Sequence, residues 1–407
     1  MLFRSDVNQK TVDLVNQGVE PFPGEAHLGE YLKKVVASGH LKATTDTTAA
    51  VAESDAVVVV VPLFVDKDGV PDFGWMDDAT TKIGAGLKKG TLVSYETTLP
   101  VGTTRNRFAP ALEAGSGLKA GSDFHLVFSP ERVLTGRVFA DLRKYPKLVG
   151  GINTESTKAG VDFYNSVLDF DKREDLKEPN GVWDLGTCEA SEMAKLAETT
   201  YRDVNIALAN QFAKFAETAN IDIAKVIAAS NSQPYSHIHQ PGIAVGGHCI
   251  PIYPRFYLWN DPQATVVRAA REANAGMPEH AVTLLNSELG TLTGKKVAVL
   301  GISYRGGVKE SAFSGVFPTV ASLKSAGATV LVNDPMYTDE EIKNLGFEVF
   351  KFGVNVDGVI LQADHLEYKE LSAKDFPGVK CIVDGRRALN KEKFTGVTLR
   401  VIGAPAR

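Results

Sequence analysis

The chain has 407 residues, of which 44% are hydrophobic and 23% charged, with a formal net charge of -5 and a pI near 6.0. This is the balance of an ordinary globular protein with room for two or three domains, and no basic tract indicates nucleic acid or an anionic membrane as a partner. The three cysteines (Cys188, Cys249 and Cys381) lie far apart without a C-x-x-C pair, which disfavours a disulfide framework and favours a reducing cytosol.

The first part of the chain alternates apolar strands with helices. Strands are predicted, in order, in L-K-A-T-T, A-V-V-V-V-V-P, G-T-L-V-S-Y-E, D-F-H-L-V-F-S and K-L-V-G-G. A helix is predicted over Asp77 to Leu87. The apolar run from Ala56 to Val65 is too short to cross a bilayer and is broken by Pro62, so we expect a buried parallel strand there. The pattern predicts a doubly wound parallel sheet in a Rossmann-like domain over residues 1–184, which the resemblance described below implies to be the NAD-binding domain.

Asp6 follows the opening residues M-L-F-R-S. It resembles the acidic end of the second strand of a dinucleotide-binding fold, where a carboxylate bonds the adenosine ribose; the alternative is a solvated terminal carboxylate. The first strand and its Gly-x-Gly-x-x-Gly loop should precede such a residue by about 20 positions. We therefore expect that the first βα unit of this domain is missing and that the sequence is a fragment with a late start.

Helical spacing replaces the alternation over residues 185–288. The segment from T-C-E-A-S-E-M-A-K to F-A-K-F-A-E predicts a long, alanine-rich central helix, and V-V-R-A-A-R-E-A-N-A-G-M predicts another helix. Alternation returns in K-K-V-A-V-L, A-T-V-L-V-N-D-P, D-G-V-I-L-Q-A-D and K-C-I-V-D-G-R, which predicts a second domain over 289–407. The predicted fold is α/β, with two Rossmann-like parallel-sheet domains joined by the long central helix. Ligands in such sheets bind beyond the carboxyl ends of the strands.

Four features carry the candidate chemistry. The segments Ser94 to Thr104 (S-Y-E-T-T-L-P-V-G-T-T) and Phe128 to Arg137 (F-S-P-E-R-V-L-T-G-R) each run from a strand into a turn. Cys249 lies in A-V-G-G-H-C-I-P-I-Y-P, and Lys195 lies on the predicted long helix. A thiolate is a strong nucleophile for an aldehyde, a nearby cation lowers a thiol pKa, and a carboxylate such as Glu131 can activate water.

Each of these residues also has a plainer interpretation. Cys249 suits a small packed residue at a turn, Lys195 a solvated helix side chain and Glu131 an acid in the first turn of a helix. Thr98 suits packing at a strand end. His248 beside Cys249 suggests a metal, but adjacent residues rarely bind one ion together and no second pair exists, so no metal is predicted.

Five segments occur in a characteristic order: V-P-L-F-V-D-K-D-G-V-P-D, E-T-T-L-P-V-G-T-T, S-P-E-R-V, A-K-L-A-E-T-T-Y-R-D-V-N-I-A-L-A-N and V-G-G-H-C-I-P. Over essentially its whole length the chain resembles the nucleotide-sugar dehydrogenases of the UDP-glucose/GDP-mannose type. It looks closest to the branch that acts on UDP-N-acetyl-D-mannosamine. The resemblance implies that NAD accepts two hydrides from a UDP-sugar, whose C6 alcohol becomes a uronic acid through a thiohemiacetal and a thioester on Cys249. It also implies a homodimer through the central helix, in the cytoplasm, in polysaccharide biosynthesis.

The resemblance also assigns roles to individual residues. The implied catalytic residues are Cys249, Lys195, Glu131, Thr98 and Thr199, and the implied NAD contacts are Asp6, Pro62, Glu96, Thr98 and Lys309. The implied substrate contacts are Glu131, Arg132, Val133, Leu134, Lys195, Arg202, Gly246, Gly247 and Arg305. Lys195 would stabilise an oxyanion and Glu131 would activate water, while the two glycines would let the backbone approach the sugar and diphosphate. For Arg305 and Lys309, surface solubility is the alternative.

The chain departs from the family pattern around the sugar site. The family usually has aspartate at the position of Tyr253, asparagine at Thr199 and arginine at Lys309, and an arginine common in the closest branch falls at Tyr235. A tyrosine is neutral near pH 7, so the role of that acid passes to Lys195, to water or to nothing. These differences bear on which sugar is oxidised and on the efficiency of the second oxidation.

Three functions are therefore compared. The first is a UDP-sugar 6-dehydrogenase that acts on UDP-N-acetylmannosamine or a relative, including UDP-glucose and UDP-N-acetylglucosamine. The second is a nucleotide-sugar-binding protein without turnover, which the expected loss of the glycine loop, Tyr253 and Thr199 favour. The third is a two-electron dehydrogenase, which Cys249 disfavours because a single hydride transfer needs no thiol.

Overall fold

The structure is a computed structural model that describes residues 2–22, 24–66, 69–134 and 136–405. Two residues of the V-P-L-F-V-D-K-D-G segment and one of S-P-E-R-V-L-T-G lie outside this part of the chain. The chain forms two compact units, with the boundary between Ala197 and Glu198. Within the described ranges, no helix is both long and apolar enough to cross a membrane. The division at 184 and 288 stays a prediction.

The strands of the first unit are β1 (Leu2–Ser5), β2 (Leu41–Thr44), β3 (Ala56–Val59), β4 (Phe64–Val65), β5 (Pro71–Asp72), β6 (Leu92–Tyr95), β7 (His125–Phe128), β8 (Lys147–Gly151) and β9 (Val182–Thr187). The helices are α1 (Gln9–Asn16), α2 (Leu28–Ala37), α3 (Thr47–Ala52), α4 (Gly74–Gly86), α5 (Ala109–Ser116), α6 (Val138–Lys144) and α7 (Thr154–Val167), with a π-helical turn at Thr104–Phe108. Helix α8 (Cys188–Thr218) runs across the boundary between the units.

The main sheet of the first unit has the strand order β3-β6-β7-β8-β9. Its neighbours run parallel except for β7 and β8, which are antiparallel and pair Phe128 with Gly150. Strands β1 and β2 form a separate parallel pair, and β4 and β5 form a hairpin. In the described residues no strand is hydrogen-bonded between β1 and β3. The predicted parallel α/β architecture is confirmed, with one reversed strand.

The prediction of a fully buried strand after Ala56 is wrong. Val58 is 41% exposed and Val60 is 62% exposed. Strand β3 is the edge of its sheet, so only one side of the strand is paired and its apolar side chains are only partly covered.

The long central helix is confirmed as α8. The Thr187 hydroxyl accepts the backbone N–H of Ala190 at 3.1 Å, which satisfies one of the free donors at the helix start. Beyond the last turn, Asn220 adopts a left-handed conformation with φ 58° and ends the helix. Ala209, Ala213 and Ala216 are buried in the core of the second unit, because small side chains let the helix pack closely.

The second unit contains a six-stranded parallel sheet. Its strands are β10 (Lys296–Leu300), β11 (Thr329–Asn333), β12 (Glu348–Val349), β13 (Gly358–Leu361), β14 (Cys381–Asp384) and β15 (Thr398–Val401), in the order β12-β11-β10-β13-β14-β15. The helices are α9 (Ile223–Ser230), α10 (Tyr253–Asn260), α11 (Thr265–Ala275), α12 (Met277–Leu289), α13 (Val316–Ser325) and α14 (Asp339–Asn344). The first strand is central, as in dinucleotide-binding folds, so the predicted second Rossmann-like domain is confirmed.

Candidate active site

A buried charge network occupies the carboxyl edge of the first unit's main sheet. Glu96 follows β6 and Glu131 follows β7, and the ammonium of Lys147 lies 2.9 Å from Glu96 Oε1 and 3.3 Å from Glu131 Oε2. The Tyr164 hydroxyl donates to Glu96 Oε1 at 2.5 Å. Glu96, predicted to contact NAD, is thus buried and already bonded, whereas Glu131 is partly exposed.

Residues Arg132 to Leu134, which follow Glu131, adopt no regular secondary structure. Helix α6 begins only at Val138, so the interpretation of Glu131 as a first-turn helix acid is wrong. The Arg132 N–H donates to Glu131 Oε1 at 2.6 Å, and the Leu134 N–H donates to the buried Asp141 at 3.1 Å. Val133 and Arg132 are half-buried and Leu134 is exposed, and their contact with the substrate stays a prediction.

Thr98 lies in the turn that follows β6 and is buried. Glu192, on α8, organises the same turn: its carboxylate accepts the N–H groups of Gly102 at 2.5 Å and Thr104 at 2.9 Å, and the Thr104 hydroxyl at 2.7 Å. Sequence reasoning missed Glu192, because an acid on an alanine-rich helix is usually solvated. It lies one turn before Lys195, and so it ties the Thr98 turn to the helix that carries the predicted cation.

The stability of the first unit should depend on pH because of the buried carboxyl group of Glu192. Burial raises the pKa of Glu192 from its ordinary 4.5 to about 7, although the bonds from Thr104 and Gly102 oppose the rise. Between these pH values the folded chain keeps a proton that the unfolded chain has released, so stability falls as pH rises from about 4.5 through about 7. We expect the free energy of unfolding of the native chain, relative to Glu192→Gln, to fall by about 3 kcal/mol over this window, as measured by urea denaturation.

Glu189, on the same helix, supplies the control. Burial raises its pKa, but the 2.6 Å hydrogen bond from Arg105, the other hydrogen bonds to this carboxylate and the charge of Arg105 together lower it below its ordinary value. The contribution of ionised Glu189 to the free energy of unfolding is therefore complete above pH 4.5 and is lost only below it. The difference between the native chain and Glu189→Gln should stay constant between pH 5 and 8, and an equally constant difference for Glu192→Gln would contradict the prediction.

Lys195 and Thr199 lie one turn apart on α8, and both are buried. The alternative of a solvated Lys195 is therefore wrong. Arg202 is exposed. Further along, Asn205 accepts the His239 N–H at 2.9 Å and donates to the His237 carbonyl at 2.7 Å, so α8 holds the loop that precedes the cysteine segment.

Cys249 is exposed and lies in the loop four residues before the first residue of α10. Its carbonyl accepts the N–H groups of Ile252 at 3.2 Å and Tyr253 at 2.9 Å, which fixes the turn into the helix. The adjacent His248 pairs with Glu310 at 3.1 Å. Tyr253 is the first residue of α10, and its ring stacks on Phe256 with centroids 5.9 Å apart. The position where the family has an acid therefore presents a half-buried aromatic ring.

Gly246 and Gly247, before Cys249, let this loop lie close to the segment that follows β10. A side chain at Gly246 would come within 2.5 Å of Tyr304 Cβ and 2.9 Å of the Phe313 carbonyl, and Gly247, at φ 91°, faces the Tyr304 ring. The Gly247 N–H donates to the Ala312 carbonyl at 2.9 Å. The segment after β10 therefore packs closely against both glycines, which is one physical reason for glycine here. That these glycines also let the sugar and diphosphate approach stays a prediction.

Arg305 and Lys309, predicted to contact the substrate and NAD, lie in the loop that follows β10, and hydrogen bonds from its backbone to Asp334 hold the start of this loop. The Asp334 carboxylate accepts the N–H groups of Ile302 and Ser303, and His365 donates to the same carboxylate at 3.1 Å. The exposed Arg305 folds against the Tyr304 hydroxyl at 3.2 Å. Lys309 is also exposed and pairs with Glu341 at 2.6 Å.

A second basic feature lies at the carboxyl end of β14. A cavity of about 190 Å³ is lined by Gln240, Pro241, Gly385, Arg386, Arg387 and Ile402. The half-buried Arg386 donates to the Gln362 carbonyl at 2.7 Å and to the Tyr304 carbonyl at 2.9 Å. Sequence reasoning read D-G-R only as a strand end and missed both arginines, although its position at the carboxyl end of a strand was a usable signal.

The residues near the chain start suit one end of NAD. Asp6 directly follows β1, accepts the Asn8 N–H at 3.0 Å and pairs with Arg4 at 3.1 Å, with its carboxylate still partly exposed. This is the chemistry that bonds ribose hydroxyls at the end of a parallel strand, so Asp6 fits the cofactor. Pro62 is exposed just beyond β3.

Two Rossmann-like sheets, together with an exposed cysteine on the loop before α10, define the class of the protein as a nucleotide-dependent dehydrogenase. Models of the UDP-glucose/GDP-mannose dehydrogenase family match residues 2–168 (NAD binding domain), 189–276 (central domain) and 298–391 (UDP binding domain). The chain belongs to the UDP-glucose/GDP-mannose dehydrogenase family. It is an enzyme that uses NAD, as the resemblance implied.

Several known proteins are similar over nearly the whole chain. A UDP-N-acetyl-D-mannosamine dehydrogenase from Pyrococcus horikoshii is 31% identical, over 98% of this chain and 92% of the relative. The solved UDP-D-ManNAc dehydrogenase structure from that organism has a TM-score of 0.85 at 28% identity, and covers 98% of this chain and 93% of its own. An NDP-N-acetyl-D-galactosaminuronic acid dehydrogenase structure from Methanosarcina mazei has a TM-score of 0.83 at 29% identity, and covers 99% and 89%.

Proposed function

We propose that the protein oxidises the C6 alcohol of a UDP-sugar, UDP-N-acetylmannosamine or a close relative, to the uronic acid in two NAD-dependent steps. The observation that carries this proposal is the exposed thiol of Cys249 at an ordered turn, since Cys188 and Cys381 are buried. A thiol is needed only if the aldehyde is captured and oxidised a second time. The names of the mannosamine dehydrogenase relatives support the sugar.

Each predicted residue has a separate task in this reaction. NAD, when bound, supplies the acceptor for both hydrides, and Asp6 would hold its ribose. The Cys249 thiolate adds to the C6 aldehyde to give a thiohemiacetal, whose oxidation leaves a thioester. Lys195 supplies the charge that stabilises the oxyanion, and Glu131 takes a proton from the water that releases the uronate. The arginines beside the β14 cavity supply charge for a diphosphate.

The identity of the sugar is tested by comparing four UDP-sugars in separate assays. The chain is supplied with NAD and, in parallel, with UDP-N-acetylmannosamine, UDP-N-acetylgalactosamine, UDP-glucose and UDP-N-acetylglucosamine. We expect kcat/KM to be highest for UDP-N-acetylmannosamine, and a higher value for any other sugar would overturn that choice. Binding of each UDP-sugar by calorimetry is measured beside it. Binding without any NADH would support the alternative of a nucleotide-sugar-binding protein.

We also propose that the protein is a homodimer through α8. Tyr201, Leu208, Phe212 and Phe215 are 54, 45, 38 and 66% exposed. Their spacing of seven, four and three residues places them along one face of the helix. An exposed apolar stripe of this length is unfavourable in water and suits a second copy of the same helix.

The dimer gives a direct prediction. Leu208→Asp and Phe215→Asp together should raise the dimer dissociation constant at least roughly 100-fold, because each change places a charge in an apolar interface. Sedimentation velocity over a range of protein concentrations measures this constant. Leu366→Asp, which changes a residue 72% exposed elsewhere in the second unit, is the control. Equal dissociation constants for all three chains would argue against the α8 interface.

Cytoplasmic location belongs to the same proposal. The described part of the chain has no membrane-spanning helix, and Cys188, Cys249 and Cys381 are all free thiols. Free thiols persist in a reducing compartment, where NAD is also available.

A further inference from the structure

Lys147 is a buried cation to which the proposed reaction assigns no role. Its side chain is only 5% exposed, and its ammonium contacts both Glu96 and Glu131. A buried ammonium is stable only where opposite charges and hydrogen bonds replace its hydration. The two carboxylates supply that replacement, so Lys147 is fixed between them.

The reversed strand explains why a lysine lies there. Because β8 runs antiparallel to β7, its first residue lies beyond the carboxyl end of β7, beside Glu131. In an all-parallel sheet the same residue would lie at the opposite edge. The one departure from the predicted sheet therefore delivers a cation to the edge where ligands bind.

The buried end of the network, at Glu96, is held by neutral hydroxyl groups. The Tyr164 hydroxyl bonds Glu96 Oε1 at 2.5 Å and the Ser94 hydroxyl at 2.7 Å. The Lys147 ammonium lies 4.8 Å from the centre of the Tyr164 ring. Burial, and then the charge of Glu96, raise the pKa of Tyr164, so the phenol keeps its proton. Glu96 is thereby immobilised, and it immobilises Lys147.

The other end of the network, at Glu131, is accessible to solvent. The Glu131 side chain is 34% exposed, with the Arg132 N–H on one carboxylate oxygen and Lys147 on the other. One donor on each oxygen fixes the plane of the carboxylate, while each oxygen keeps a lone pair for another partner. That arrangement suits a base that must be aimed at a water molecule.

We propose that Lys147 is the positioning residue for Glu131 in the release of the product, an inference that rests on the proposed function. In that step Glu131 takes a proton from water as the water oxygen bonds to the thioester carbon. The carbon–sulfur bond then breaks, the electron pair returns to Cys249 as a thiolate, and the uronate leaves. Glu131 afterwards returns the proton to solvent. Lys147 acts only through Glu131.

The test compares Lys147→Met with Lys147→Arg and with Lys158→Met, which changes an exposed lysine of α7 that pairs with Asp162 outside the network. Each full-length chain is mixed rapidly with NAD and UDP-N-acetylmannosamine. For Lys147→Met we expect a burst of two NADH per Cys249, followed by a steady rate roughly 100-fold below that of the native chain. Intact-protein mass spectrometry should show the acyl group on Cys249. Lys147→Arg should restore most of the rate, and Lys158→Met should stay within about threefold of the native chain.

Loss of the burst and of the steady rate together, or an unchanged steady rate, would overturn the proposal. If the native chain forms no NADH, the proposed function fails instead, and a thermal double-mutant cycle then tests the positioning role alone. Melting-temperature losses of Lys147→Met and Glu131→Gln should be clearly less than additive in the double variant. Additive losses would show that Lys147 does not hold Glu131.

Discussion

Cys249→Ser is expected to lower kcat at least roughly 1,000-fold with little change in the binding of the UDP-sugar, because the variant loses the covalent acceptor. A serine hydroxyl keeps the size of the side chain but is far less nucleophilic toward an aldehyde. Initial rates of NADH formation and calorimetric binding of the UDP-sugar measure the two quantities.

Cys188→Ser is the matched control. The Cys188 thiol is buried and donates to the Gly150 carbonyl at 3.3 Å, a bond that a serine hydroxyl can keep. This variant should retain activity within a few-fold. If Cys249→Ser keeps the native rate of uronate formation, the covalent route is wrong for this protein.

Arg271→Met is expected to destabilise the protein by about 3–5 kcal/mol, the cost of leaving one partner of a buried ion pair without the other. Arg271 Nη1 lies 2.6 Å from Asp203 Oδ1, and the Asp203 side chain is fully buried. Asn274 donates to the same oxygen at 2.7 Å and also accepts from Asn210 at 2.9 Å, so the network ties α11 to α8. Thermal unfolding should show the loss as a lower melting temperature.

Arg268, three residues earlier on α11, provides the comparison. It is exposed and donates to the Pro262 carbonyl at 2.8 Å. Arg268→Met should change stability by no more than about 0.5 kcal/mol. Similar melting temperatures for the two variants would mean that the buried pair adds nothing to the attachment of α8.

The elements that depend on local pattern were predictable. Runs of β-branched residues gave β10, β11, β13 and β14, because a buried parallel strand must be apolar along its whole length. The alanine-rich helical spacing likewise gave α8. The exposure of Val58 was not predictable, since it depends on which strands pair with β3, and pairing is not a local property.

The candidate site likewise contains residues that local sequence pattern could predict and residues whose role depends on distant partners. Cys249, Glu131 and Lys195 were predicted as catalytic residues because their residue types and segments are distinctive. Lys147 was read only as the first residue of a strand, since its position depends on the reversed direction of β8. Glu192 and Arg386 were missed for a related reason: their partners are backbone groups far away in sequence, at separations of 88 and 82 residues for Thr104 and Tyr304.

In the proposed reaction, the single thiol of Cys249 supports two successive oxidations of the same sugar. The most direct measurement is the stoichiometry of NADH formed per sugar consumed, with NAD in excess and the product identified by mass. The account predicts two NADH per sugar, a uronic acid as product and no free aldehyde. One NADH per sugar with accumulation of the aldehyde would contradict it.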